Sequence, residues 1–456
     1  MPTASSPLTL EHLRTDVLEG RVDTVIVAIT DMQGRLQGKR VHAPYFLEHV
    51  VPHPTEGCNY LLAVDVDMNT VDGYRMSSWH SGYGDFVMAH DLSTLRRVPW
   101  HPGTVMVQAD VQWLDGSDVL ASPRQVLKRQ LARLSDAGMA AYVGTELEFI
   151  VFTDTYEQAW SQGYRDLTPA NQYNVDYSIL GTSRVEPLLR AIRLATAEAG
   201  MQVESAKGEC NFGQHEIAFL YEDALRTCDN HVVYKTAAKE IAAQMGYSLT
   251  FMAKYNEREG NSCHIHLSFR GLDGSTVMAD DSDEEHGLSD VGRAFIAGQL
   301  AHMRELSLLF APNSNSYKRF APGSFAPTSI EWGRDNRTCA LRLVGRGGSL
   351  RLENRIPGGD VNPYLAVAGM VAAGLDGIER GLELRPAFEG NAYAADGEKV
   401  PWHLTDAVEE WTRSEWVAST FGDDVVEHYA NMGRIELEAF GRTVTDWERY
   451  RGFERL

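Results

Sequence analysis

Ala140-Ala141-Tyr142-Val143-Gly144-Thr145-Glu146-Leu147-Glu148-Phe149-Ile150-Val151-Phe152 reads as one strand. A period of two puts Glu146, Glu148 and Ile150 on one face and Leu147, Phe149 and Val151 on the other. Two carboxylates about 7 Å apart on a shared face repel one another. The apolar opposite face argues that the strand is no solvated edge. Three further stretches repeat the pattern. Gly208-Glu209-Cys210-Asn211-Phe212-Gly213-Gln214-His215-Glu216 supplies Glu209 and then Glu216, with Ile217 and Phe219 facing away. Cys263-His264-Ile265-His266-Leu267-Ser268-Phe269 places His264, His266 and Ser268 together against Ile265, Leu267 and Phe269. Leu350-Arg351-Leu352-Glu353-Asn354-Arg355 places Arg351, Glu353 and Arg355 on one side.

If these polar faces converge, the carboxylates of Glu146, Glu148, Glu209, Glu216 and Glu353 meet around an imidazole. Such a funnel stays ionised only with divalent cations. An oxygen-rich donor set suits Mg²⁺ or Mn²⁺ better than a thiolate-preferring metal. Cations held by carboxylates beside Arg319, Arg337, Arg342, Arg351 and Arg355 make a phosphoryl-transfer site. Neither a Walker loop nor GxGxxG is present, so a nucleotide binds here through metals and side chains.

The rest of the chain bounds the reading. Its 456 residues correspond to about three domains, or two with one large. Hydrophobic residues at 43% and charged residues at 23% describe a folded soluble protein. With 42 Lys+Arg against 63 Asp+Glu the net charge is −21, which argues against a phosphate-backbone-binding surface and hence against nucleic acid. The five cysteines form no Cys-x-x-Cys pair, so neither a disulfide framework nor a zinc site is indicated, and a cytoplasmic location fits. No basic start with an apolar block opens the chain, and no apolar run reaches membrane-spanning length.

An amphipathic helix through Leu10, Leu13, Val17 and Leu18 is expected to stop at Gly20. Strands over Val22–Thr30 and Arg35–Val41 flank the turn Asp31-Met32-Gln33-Gly34, and further strands are expected at Asn59–Val64 and Thr104–Val111. Ser122 as N-cap, Pro123 at the first helical position and Gln125 completing a capping box open a helix closed by Gly138. That helix starts a second domain, giving residues 1–115 and 116–456. Long helices are expected over 223–245, 290–310 and after Asn362-Pro363. The fold class is α+β. Asp280–His286 reads as a solvated acidic loop.

With GTELEF, KGECNFGQHEI, GNSCHIHLS, NSYKRFAPGSFAP, NRT and RLENRIPGGDVNPYL in this order, the chain resembles the glutamine synthetase family over nearly its whole length. The resemblance implies a small amino-terminal β-grasp domain before a larger catalytic domain, in subunits stacked as rings, dodecameric in the family. It implies one metal on Glu148, Glu209 and Glu216 and another on Glu146, His264 and Glu353. It further implies His266, Ser268 and Arg351 at ATP, Arg337 and Arg342 at the moving phosphoryl group, and Gly260, Arg319 and Arg355 at glutamate. The implied chemistry activates the glutamate γ-carboxylate with ATP as γ-glutamyl phosphate, which an amine attacks.

The departures concern the amine. The family's PGYEAP flap is here Pro322-Gly323-Ser324-Phe325-Ala326-Pro327, so an anionic residue has become Phe325. The Asp of an amino-terminal DGSS segment has become Arg75. Ammonium needs acceptors and negative charge around it, whereas an aromatic offers a wall for a carbon stem or a face for an organic cation. An organic primary amine is therefore expected: ethanolamine first, then a polyamine, then ammonia, with a non-catalytic relative last. In the glutamate loop Glu259 stands where the family has an amide, and a carboxylate pairs with the α-ammonium more strongly. The base that deprotonates the amine is unassigned, Glu259 and a group beside the metals being candidates. Tyr393 reads as an ordinary loop residue.

Overall fold

The computed structural model describes residues 8–456; residues 1–7, part of the amino-terminal stretch read above, lie outside them. Two sheets organise the chain. The first contains β1 (Thr24–Thr30), β2 (Leu36–His42), β3 (Thr55–Cys58), β4 (Asp85–His90), β5 (Arg96–Arg97) and β6 (Thr104–Gln112) in the order β2-β1-β6-β4-β3, with β5 on β6. β1 and β2 form the expected hairpin and β1 runs parallel to β6. Helix Leu10–Leu18 is capped by the Thr9 side chain and buries Leu13, but Leu18 is exposed. Leu18 therefore drops out of the expected apolar stripe. The strand expected at Asn59–Val64 is also corrected: Asn59–Leu62 is a 3₁₀ turn. The Asn59 side chain holds the Met76 carbonyl at 3.1 Å, and the Ala63 N–H turns back to Tyr60, so this backbone is not free to join a ladder.

The second sheet holds the polar faces. It comprises β7 (Met139–Phe152), β8 (Val203–Gly208), β9 (Gln214–Phe219), β10 (Glu222–Asp223), β11 (Ser248–Thr250), β12 (Cys263–Gly271), β13 (Trp332–Arg334), β14 (Leu341–Val344) and β15 (Arg351–Asn354). The order is β13-β14-β15-β12-β7-β9-β8, with β10 and β11 on β7. Leu147, Phe149, Ile217, Ile265, Leu267, Phe269 and Leu352 are buried behind it. Each fully buried side chain of this kind contributes about 1.5–3 kcal/mol, which offsets the cost of crowding carboxylates on the opposite face.

Helices close the apolar side. Pro363–Arg380 packs on Asp290–Ala301 and on Pro123–Asp136. It is buried from Pro363 to Gly377, as expected of a helix apolar all round. Asp223 caps Ala224–Gln244 and Asn362 caps Pro363–Arg380. Two helical expectations are corrected. The Ser122 side chain makes no capping bond, and Gln125 donates instead to Asp118 at 2.5 Å. The helix expected over 290–310 ends at Ala301 and resumes as Ser307–Phe310. At the break His302 is held by Glu305 at 2.8 Å and Asp376 at 2.7 Å and stacks on Trp416. Among the described residues no helix is long and apolar enough to cross a membrane.

Candidate active site

Strand register brings the polar faces together. Glu148 of β7 lies opposite Glu216 of β9, Glu146 of β7 opposite His264 of β12, and Glu353 of β15 opposite His266 of β12. Glu209 follows β8 directly, where its N–H closes the β8–β9 hairpin on Gln214. Oxygen atoms of Glu148, Glu209 and Glu216 all lie within 4.8 Å of one another. The same holds for candidate ligand atoms of Glu146, His266 and Glu353. His264 Nδ1 stands between Glu146 at 3.3 Å and Glu353 at 3.5 Å, and its Nε2 is buried without a partner.

Both imidazoles keep a buried Nε2 without a hydrogen-bond partner. Arg351 Nε donates to His266 Nδ1 at 3.3 Å, and His266 Nε2 lies 3.0 Å from Glu146. Burial, reinforced by Arg355, lowers the His264 pKa, so this imidazole stays neutral and can act as a ligand.

The carboxylates are tuned apart. Burial, with Glu146 close by, pushes Glu216 up to about 8. Burial also opposes ionisation of Glu353, but His264 and Arg355 outweigh it and hold this carboxyl at about 2. Arg342 Nη1 reaches the same side chain at 2.9 Å. Glu146 is held well below the usual range because hydrogen bonds from His264 and His266 overcome its burial.

A cavity of about 220 Å³ is lined by Glu146, Glu148, Glu209, Glu216, Glu259, Gly260, His264, Phe325, Arg337, Arg342, Glu353 and Arg355. Behind Glu146 a second cavity of about 360 Å³ is lined by His266, Ser268 and Arg351 together with Tyr142, Tyr221 and Arg270. Glu146 belongs to both walls. Arg319 is the sequence-predicted residue not brought to either wall. It is buried, donates to the Ile356 and Arg355 carbonyls at 2.8 and 2.9 Å, and packs under Gly260. A Cβ on Gly260 would meet the Arg319 side chain at 2.6 Å and the Ala253 carbonyl at 2.3 Å, so only glycine allows this approach.

Phe325 stands at the cavity rim, 54% exposed, at a φ of 56°. Its carbonyl accepts from Arg355 at 3.3 Å, while Ser324 Oγ donates to the Ala321 and Arg319 carbonyls at 2.6 and 3.1 Å. Arg75 lies elsewhere. It pairs with Asp424 at 3.1 Å and lines a cavity of about 590 Å³ beside Trp113 and His428. That cavity is larger, but among the described residues it holds no metal-sized cluster of ligands, so size does not select the site. The Tyr393 hydroxyl is enclosed and burial raises its pKa, in keeping with an ordinary loop role.

Sequence reasoning missed Gln214, Lys207 and the loop at Asp176-Tyr177. Gln214 Nε2 lies 3.1 Å from a Glu148 oxygen that also accepts the Ser262 N–H at 2.7 Å. One Glu148 oxygen is thereby tied down, and the other is left for an ion. Gln214 and Lys207 each stand two residues from a predicted ligand, so the period of two contained the signal. Asp176-Tyr177 enters from a loop that no periodicity marks.

Residues 120–451 match the family described as "Glutamine synthetase, catalytic domain". The chain is 66% identical to the gamma-glutamylethanolamide synthetase GlnA4 of Streptomyces coelicolor, over 99% of this chain and 96% of that one. It is 36% identical to a glutamate–isopropylamine ligase of a Pseudomonas species, over 96% of each chain. A solved GmaS/ADP complex superposes with a TM-score of 0.85 at 28% identity, covering 97% of this chain and 99% of that one.

Proposed function

This chain belongs to the glutamine synthetase family and is a ligase of it, and we propose that it joins the γ-carboxylate of glutamate to ethanolamine with ATP, through γ-glutamyl phosphate. The observation that carries the choice of amine is Phe325, an apolar side chain at the rim of an acidic cavity where small ammonium would need acceptors. The relatives whose names specify ethanolamine and isopropylamine support it.

The donor sets fit two divalent ions: Glu148, Glu209 and Glu216 offer oxygens alone, and Glu146 and Glu353 flank the neutral imidazole of His264, with His266 clustered on the same two carboxylates. Such ions, Mg²⁺ or Mn²⁺, would neutralise the phosphate oxygens of ATP and the crowded carboxylates. His266, Ser268 and Arg351 would hold the nucleotide in the cavity behind Glu146. Arg342, oriented by Asp335 and Glu353, and Arg337 at the rim would stabilise negative charge on the transferring phosphoryl group. Arg355 and the Glu259-Gly260 loop would position glutamate, with Arg319 supporting the loop from beneath. Phe325 would cover the carbon stem of the amine and exclude water from the acyl phosphate.

A division into residues 1–115 and 116–456 belongs to the same reading, supported by the two sheets. So does a cytoplasmic location, supported by five free cysteines. An assembly of stacked rings is supported by the exposed Trp447, Tyr450 and Phe453 near the carboxyl terminus.

The test is a panel of amines incubated with ATP, Mg²⁺ and glutamate, with products read by mass spectrometry. γ-Glutamylethanolamide should form fastest, ahead of putrescine and spermidine adducts, with little glutamine. Faster glutamine formation would restore ammonia as the substrate. Absence of Mg²⁺-dependent ATP binding in calorimetry would make the chain a non-catalytic relative.

A further inference from the structure

The ligation chemistry above leaves one charge at the site unused. Lys207 and Glu209 are two residues apart at the end of β8, so they share a face. The Lys207 ammonium forms an ion pair with Glu209, lies 3.9 Å from Glu216, and sits 5.0 Å from the centre of the Tyr177 ring. Its side chain is 27% exposed and lines the acidic cavity.

We propose that Lys207 is a resident counter-cation of the first metal site. Its ammonium offsets the repulsion among Glu148, Glu209 and Glu216 while no ion is held, and must withdraw before a divalent ion can bind. This inference rests on the reading of those three residues as ligands. The physical basis is competition for the same oxygens. An ammonium at hydrogen-bond distance from Glu209 and a divalent ion on that carboxylate repel each other at short range, in surroundings less polar than water. Its one hydrogen bond among the described residues goes to Glu209, and its remaining contacts are the longer ones to Glu216 and the Tyr177 ring.

A second hold on the ammonium is already in place and remains when Glu209 is given up. The Tyr177 ring offers a cation–π face, and Asp176 lines the same cavity. The loop that carries them is fixed against β8: Val175 is buried, and a Cβ on Gly208 would lie 2.2 Å from the Val175 carbonyl oxygen. Entry of an ion therefore shifts one positive charge from the carboxylates toward Tyr177 and Asp176, which line the same cavity.

Mn²⁺ binding, followed by electron paramagnetic resonance on the full chain without ATP, tests this. Lys207→Met should bind its first ion about tenfold or more tightly than wild type, and should melt at a lower temperature when stripped of metal. Lys207→Arg should resemble wild type in both measurements. In the unaltered protein, labelling of Lys207 by an amine-reactive ester, read by mass spectrometry, should rise when Mn²⁺ is added. Unchanged or weaker first-ion affinity in Lys207→Met, or labelling indifferent to Mn²⁺, would overturn the inference alone. Failure of the wild-type chain to bind Mn²⁺ at all would overturn the ligand reading and this inference with it.

Discussion

Phe325 shows how much a single residue decides. Its φ of 56° is a conformation that a bulky side chain adopts only when its surroundings impose it. The Arg355 bond to its carbonyl and the Ser324 hydroxyl bonds on the preceding turn supply that constraint. The ring is therefore held at the rim by the backbone, where a carboxylate at the same position would face the incoming nucleophile. Phe325→Glu should raise the ratio of ammonia to ethanolamine turnover by about tenfold or more, the scale set by adding or removing one polar contact at a substrate. Competing ammonium against ethanolamine and measuring both products by mass spectrometry checks this, and an unchanged ratio would remove the flap from the specificity argument. That an aromatic occupies the flap was legible in Pro322–Pro327. Its positive φ and its anchoring by Arg355 depend on distant residues and were not.

At the scale of elements, period-two alternation was enough to assign Glu146, Glu148, Glu216, His264, His266 and Glu353 to polar faces, because each strand is backed by apolar residues that must be buried. Alternation says nothing about neighbours, so the register that sets Glu148 against Glu216 came only from the folded sheet. Asn59–Val64 and 290–310 were misread for a related reason: side-chain bonds from Asn59 and His302 interrupt backbone patterns that apolar spacing alone would continue. The Glu148–Glu216 register has a consequence for pH. Glu216, facing Glu146, Glu148, Glu353 and Lys207, rises from 4.5 to about 8 in the fold. The folded chain thus keeps a proton that the unfolded chain releases, so the contribution of Glu216 to stability without metal is full below the unfolded value and is lost as pH rises through 8. Glu353, lowered to about 2, acts only at acid pH, and His264, also lowered, acts below the ordinary histidine range. Between about pH 6.5 and 7 the slope should therefore approach a loss of about 1.4 kcal/mol per unit, and it should halve by pH 8. Calorimetry after EDTA treatment should show melting temperature falling across this range, with Mg²⁺ or Mn²⁺ abolishing the trend. Persistence of the full slope in Glu216→Gln would assign it to another group.

Across the whole molecule, a second charged cluster ties the first sheet to helices that back the second. Arg124, in helix Pro123–Asp136, is 3% exposed and meets Asp91 at 2.8 Å and Asp110 at 2.6 Å, beside and within the first sheet. It also meets Asp229 of helix Ala224–Gln244 through two bonds of 3.0 and 3.1 Å. Tyr364 donates to Asp229 at 2.7 Å and to Gln108 of β6 at 2.9 Å, tying the central helix to the same knot. Burial opposes the charge on Arg124, but Asp229 more than compensates, so its pKa rises and the guanidinium stays protonated. The helix start at Ser122-Pro123 was readable in the sequence; the three aspartates converging on the next residue were not, since they come from separate parts of the chain. Arg124→Met leaves Lys128 on Asp110 as the one ion pair these carboxylates keep, with Asp229 held only by the Tyr364 hydroxyl and Asp91 by Ser93, and breaking a buried pair in this way costs about 3–5 kcal/mol. The urea midpoint should fall accordingly, and Asp229→Asn in the same chain should restore part of the loss by removing the most deeply buried unpaired charge. An Arg124→Met midpoint equal to wild type would show that the sheets are held by apolar packing alone.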